Sequence, residues 1–375
     1  MKTFPHTIPI SGDDLKTFRR DGVICLRNVL EPEIIKALRE DVANQVASLG
    51  TSQTAYDLES LARQVWGNQN SDIDEIDVGA ADRFDISDLQ MILDYDEDAR
   101  PIREELSQPA HTDGQFFYDA AGWRFYDGIR STALDSALPS ICAQLLESNT
   151  LNFWEDTTFV KAPETAQRTS FHQDYAYFQI SGRQCCIVWI PLDNVTQETG
   201  PMEYVRGSHH WEEIYAPNIL ISQSPHPLSP YEPLPNIEGN REDYDIISFD
   251  VKPGDVIIHH VMTIHGSRGN RSTNQVRRAL SLRYCGDDIT YCDRPGAMVQ
   301  PYLLEKPLEG SPLYSRDYPL VWPRPFPEAK LAPVYESENL KGNLETISTF
   351  TPSARPEPWR QKTLRPSNSS HGVRS

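Results

Sequence analysis

Between Leu151 and about Asp288 the chain is a series of short strand-like runs, and no other feature limits its fold as tightly. FWEDTTFVK, RQCCIVWIPLDN, GPMEYVRGS, DYDIISFDV, DVIIHHVM and RRALSLRYCG are rich in β-branched and aromatic residues. Turn markers such as Gly200-Pro201, Arg206-Gly207 and Lys252-Pro253-Gly254-Asp255 separate them. Many short strands with turns between them make a sandwich or barrel. Upstream, SGDDLKTFRRDG places a Ser cap before a helical stretch that Asp21-Gly22 ends, and VICLRNVL reads as a strand. EPEIIKALREDVANQVASL then gives an amphipathic helix with Ile34, Ile35, Leu38, Val42 and Val46 on one face. The expectation is a mainly β fold with flanking helices. A proline-studded stretch, Ala216–Asn240, interrupts the strands and reads as a lid or surface loop.

Composition narrows the partners. Lys and Arg total 35 against 54 Asp and Glu, a formal net charge of −19 over 375 residues. That balance argues against a nucleic-acid backbone or an anionic membrane as the main partner. The first residues hold no apolar signal region and no run approaches a membrane span. None of the six Cys forms a CxxC, and their spacing is not a disulfide framework. These features lead to the expectation of a reduced, soluble, cytoplasmic protein acting on a small molecule, with a homodimer left open.

Residues able to carry chemistry lie within the β region. In SFHQDYAYF, His172 and Asp174 are two apart and share one face of an extended chain. Alone, such a pair also describes two hydrogen-bonded surface residues. His265 in TIHGS follows a turn and an apolar strand, and two imidazoles with one carboxylate can occupy one face of a metal such as non-haem Fe(II). His259 and His260 sit inside the apolar strand and read as core or surface residues. In RRALSLRY, Arg277, Ala279, Ser281 and Arg283 share one face, and Arg278, Leu280, Leu282 and Tyr284 the other. The first face suits a cavity wall, where Arg277 offers a fixed fork to a carboxylate. A surface ion pair is the alternative for Arg277. For Arg283 the alternatives are an anionic group in the cavity or a pairing with Asp287 or Asp288.

Taken together, FHQDYAYFQ, CCIVWIPLDNVTQETGPMEYVRGSH, KPGDVIIHH and IHGSRGN…VRRALSLRY resemble the phytanoyl-CoA dioxygenase family of Fe(II)- and 2-oxoglutarate-dependent oxygenases. The resemblance runs over roughly residues 14 to 290 and is weakest from about 51 to 140. It implies a double-stranded β-helix (jelly-roll, cupin-like) core at 150–290, within a single domain over 1–330. Helices at 11–50 and a helical or loop insert at 51–140 would precede the core, and an extension at 331–375 with a disordered end would follow it. It implies His172, Asp174 and His265 as iron ligands and Arg277 as partner of the distal carboxylate of 2-oxoglutarate. Ser267, Trp189 and Thr157 match positions around that co-substrate. The implied cofactors are Fe(II), 2-oxoglutarate and O2. The implied reaction hydroxylates, desaturates or epoxidises an unactivated C–H group of a metabolite, with secondary-metabolite intermediates among the candidates. Because Asp174 is present, halogenation is disfavoured. The competing reading is a cupin-type metal-dependent isomerase or ring-cleaving enzyme without 2-oxoglutarate. A zinc hydrolase lacks an obvious general base here, and an inactive interaction protein would have little reason to keep all four polar residues.

Overall fold

A computed structural model describes residues 7–49, 56–57 and 114–323, apart from 219, 222, 224, 226–228, 295–296, 298–299, 301–302 and 305. Strands run in chain order as β1 Val23–Leu26, β2 Tyr56–Asp57, β3 Phe116–Ala120, β4 Leu151–Lys161, β5 Thr169–His172, β6 Ile180–Ser181, β7 Cys185–Pro191, β8 Met202–Val205, β9 Ile246–Ser248, β10 Val256–His260, β11 His265–Ser267, β12 Arg277–Cys285, β13 Thr290–Tyr291 and β14 Leu320–Trp322. Among the described residues the α-helices are α1 Gly12–Asp21, α2 Pro32–Ala47, α3 Asp127–Asp135 and α4 Leu138–Leu146.

Two antiparallel sheets form the jelly roll. The large sheet is ordered β1-β10-β7-β12-β4-β3-β2, with β14 added on β4; the smaller is β5-β11-β8-β9. Alternation along β12 shows what lies on each side of the large sheet. Leu280, Leu282 and Tyr284 join a core with Phe18, Ile35, Leu38, Ile129, Leu138 and Ile141 from the four helices. Arg277, Ser281 and Arg283 instead line a cavity that His172 and His265 of the small sheet also line. The helices thus cover the outer face of the large sheet, and the cavity opens on the inner one. Burying a side chain of Leu or Ile size contributes roughly 1.5–3 kcal/mol, so this outer core carries much of the stability.

Local signals explain the helix ends. The Ser11 hydroxyl accepts from the Asp14 N–H at 3.0 Å, and Gly22 closes α1 at φ +74°, a left-handed conformation that costs glycine least. On α2, Ile35, Leu38 and Val42 are buried as the periodicity requires. Most of the expected insert at 51–140 lies outside the described residues. Its C-terminal part is regular: β3 extends the large sheet, so the sheet reaches beyond the expected 150–290 core. The expected C-terminal extension also lies outside the described residues.

Candidate metal centre

His172 ends β5, which pairs with β11 so that His172 and His265 are direct neighbours in register. Asp174 does not continue that strand. It opens a 3-10 turn, Asp174–Tyr177, so the carboxylate reaches the histidines by a turn at the strand end and not by simple alternation. One donor atom from each of His172, Asp174 and His265 lies within 4.8 Å of the other two, and all three residues are buried.

Backbone partners set the chemistry of the two rings. His172 Nδ1 lies 2.7 Å from the Ser170 carbonyl and His265 Nδ1 2.9 Å from the Thr263 carbonyl. A carbonyl only accepts, so in the neutral imidazole each Nδ1 carries the hydrogen and each Nε2 offers its lone pair. Both Nε2 atoms face Asp174 Oδ1, at 3.4 Å and 3.9 Å. Three electron-pair donors therefore converge, a set that a metal cation satisfies. Burial pushes the His265 pKa well below its ordinary value, and its neighbours His259 and His172 add to this, which keeps the ring neutral. Burial raises the Asp174 carboxyl, but the facing His265, His172 and His259 outweigh it and hold it well below the usual carboxylate range. The set suits Fe(II), which takes imidazole and carboxylate donors on one face and leaves the other positions open.

His259 departs from its sequence reading. It is buried on β10, its Nε2 is 3.6 Å from Asp174 Oδ2, and neither ring nitrogen has a hydrogen-bond partner among the described residues. Asp174 thus shows one oxygen to His172 and His265 and the other to His259. His260 behaves as read: its Nε2 meets the Arg183 carbonyl at 2.8 Å and its Nδ1 accepts from the Met262 N–H at 3.2 Å. Nothing in an apolar strand pattern distinguishes these two neighbours, because the sheet alone decides which one faces inward.

A cavity beside the trio is lined by residues of both sheets. Arg277 lines it and is 2% exposed; among the described residues its Nη2 meets only the Met202 thioether at 3.6 Å and its Nε has no partner. Burial pushes its pKa down to about 10, so the group stays charged at neutral pH. A buried cation without a counter-charge is costly, and an anion in the cavity removes that cost. Trp189 lies under the guanidinium, 4.9 Å from ring centre to carbon. Ser267 lines the same wall, donating to Thr169 Oγ1 and accepting from Lys161 Nζ, both at 3.0 Å. Lys161 and Thr169 are absent from the sequence reading; their only sign was a strand end carrying one charge. Thr157 stands elsewhere, accepting from Arg283 Nη1 at 2.6 Å.

Two sheets enclosing such a cavity place the chain in the cupin-like, double-stranded β-helix class. Within it, the chain belongs to the phytanoyl-CoA dioxygenase (PhyH) family, whose model matches residues 18–279. A probable phytanoyl-CoA dioxygenase of Caenorhabditis elegans is 29% identical over 158 residues, 40% of this chain and 47% of that protein. A probable alpha-ketoglutarate-dependent hypophosphite dioxygenase of Stutzerimonas stutzeri is 26% identical over 200 residues, 49% and 66% of the two chains. The chain thus spans about half to two thirds of the length of these two relatives. Among solved structures, the non-heme alpha ketoglutarate dependent carbocyclase SnoK from nogalamycin biosynthesis superposes with a TM-score of 0.53 at 22% identity, covering 83% of this chain and 96% of that one. No described helix is long and apolar enough to cross a membrane.

Proposed function

We propose that this chain is a non-haem Fe(II)- and 2-oxoglutarate-dependent oxygenase that hydroxylates, desaturates or epoxidises a C–H group of a small metabolite. The convergence of two imidazole lone pairs and one carboxylate oxygen carries the reading, and family membership supports it. His172, Asp174 and His265 would hold the iron, and Arg277 the distal carboxylate of the co-substrate, with Trp189 as its floor. Thr157, behind Arg283, supports that guanidinium and not the co-substrate end. When bound, Fe(II) and 2-oxoglutarate supply O2 activation coupled to decarboxylation: in hydroxylation, R–H, 2-oxoglutarate and O2 yield R–OH, succinate and CO2.

The chain's residues do the rest. The Ser170 and Thr263 carbonyls lock both rings with Nε2 forward. Arg277 selects a co-substrate with a second carboxylate, which disfavours a cupin isomerase that needs none. Leu220, from the proline-studded stretch, closes one wall, and Asn218 pins that stretch: its Nδ2 donates to the Phe171 carbonyl at 2.8 Å and its Oδ1 accepts from the Tyr177 hydroxyl at 2.7 Å. The test is an anaerobic titration with Fe(II) and 2-oxoglutarate, reading the visible charge-transfer band of the complex. The parent develops the band, His172→Ala does not, and Arg277→Ala needs about 100-fold more 2-oxoglutarate, as expected for a lost charge-assisted pair worth 2–3 kcal/mol. Stoichiometric iron without a band in the parent overturns the assignment.

A further inference from the structure

We infer that the cavity has a second oxyanion-binding end, built on Arg283, that holds a carboxylate of the organic substrate. The inference rests on the oxygenase reading above, since it assigns Arg277 to the co-substrate. Both arginines lie on the inward face of β12 and line one cavity. They are six positions apart, roughly 20 Å between backbone positions along an extended strand. A five-carbon dicarboxylate held by Arg277 is too short to reach Arg283, so the second guanidinium serves another ligand.

Arg283 is prepared for one. It is 7% exposed, and its one hydrogen bond among the described residues runs from Nη1 to Thr157 Oγ1 at 2.6 Å. Its Nε is buried without a partner, and Arg283 forms no ion pair among the described residues. The carboxylates that strand position would offer it are engaged elsewhere. Asp287 accepts from the Asn149 and Thr150 N–H groups at 2.7 Å and 2.9 Å, and Asp288 from the Arg183 and Gln184 N–H groups at 2.8 Å each. Glu155, opposite in register, and Asp156 lie within electrostatic reach of Arg283 but take their hydrogen bonds elsewhere, Glu155 from Gln300 Nε2 at 3.3 Å and Asp156 from the Gly122 and Trp123 N–H groups at 3.1 Å and 2.8 Å. The guanidinium lies over Phe178, 5.3 Å from the ring centre, and Phe178 rests on Trp154 at 4.4 Å. A buried fork with free donors above an aromatic wall matches a planar carboxylate carried on an apolar body.

The probe is phenylacetate against phenylacetamide, titrated calorimetrically into protein loaded with Mn(II) and saturating 2-oxoglutarate. Mn(II) suits the same donors, and the co-substrate blocks Arg277. Phenylacetate should bind saturably and at least tenfold more tightly than the amide. Arg283→Gln should lose that preference, Arg283→Lys should keep part of it, and 2-oxoglutarate affinity should stay within twofold in both, with melting temperatures confirming the fold. Equal binding of acid and amide by the parent, no binding of either, or an unchanged preference in Arg283→Gln overturns the inference. If the parent takes up no 2-oxoglutarate, the oxygenase reading fails instead, and the same comparison on unloaded protein still decides the role of Arg283.

Discussion

Three imidazoles surround Asp174, and their different partners give them different roles. His172 and His265 donate backward to backbone carbonyls two residues upstream, so their forward nitrogens are fixed as donors of electron pairs. Among the described residues His259 has no such anchor, and its Nε2 lies 3.6 Å from the second carboxylate oxygen. That contact would orient Asp174 toward His172 and His265, as an outer hydrogen-bonding partner orients a metal ligand. His259→Phe should weaken Mn(II) or Fe(II) affinity about tenfold, and His259→Gln, which keeps an N–H, should recover much of it. Equal metal affinity in all three proteins, measured by anaerobic titration, would remove His259 from the site. The candidate trio was legible in the sequence because HxD and a distant His-Gly survive as short strings. His259 was not, because a histidine within VIIHHVM carries no sign of which neighbour faces inward.

At the scale of elements, β12 was legible and β5 was not. Strict alternation over RRALSLRY separated cavity wall from core, and the structure keeps both faces apart. The FHQD run invited the same two-residue reading, but the chain leaves the strand after His172. Hydrogen bonding to β11 ends there, and only the tertiary pairing reveals it. Gly266 makes that pairing close: a Cβ at this position would lie 2.7 Å from the Thr169 carbonyl oxygen and 3.2 Å from the Phe171 nitrogen. Both neighbours are backbone and cannot rotate away. Gly266→Ala should therefore separate β11 from β5, cost roughly 1–3 kcal/mol, and weaken metal binding with it. An unaltered melting temperature together with parental metal affinity would contradict this.

For the whole molecule, short strands with turns announced a β fold, and the flanking helices announced themselves by their caps. The order of the large sheet did not, because it joins strands from opposite ends of the chain, β1 beside β10 and β12 between β7 and β4. Long-range pairing leaves no local pattern. One cost of this closed core is a buried acid. Burial pushes the Glu155 carboxyl from 4.5 up to about 7, although Arg283 pulls it down. The folded protein then holds a proton that the unfolded chain has released, so stability is highest below the unfolded value and falls as pH rises between about 4.5 and 7. Glu155→Gln should lessen the slope of the melting temperature across that window, the remainder coming from Asp156, which burial raises to about 6, and add on the order of 1–3 kcal/mol at higher pH; a parallel pH profile in the variant would contradict this. A last consequence is kinetic. The chain as a whole carries −19, yet the cavity presents guanidinium groups at both ends of one strand. An incoming dianion is repelled at long range before it is attracted at short range. Added salt screens the first force over about 10 Å at 0.1 M and scarcely reaches the second. The association rate of 2-oxoglutarate should therefore rise with ionic strength in stopped-flow traces while its dissociation rate barely moves, the reverse of the steering that speeds ligands to oppositely charged proteins.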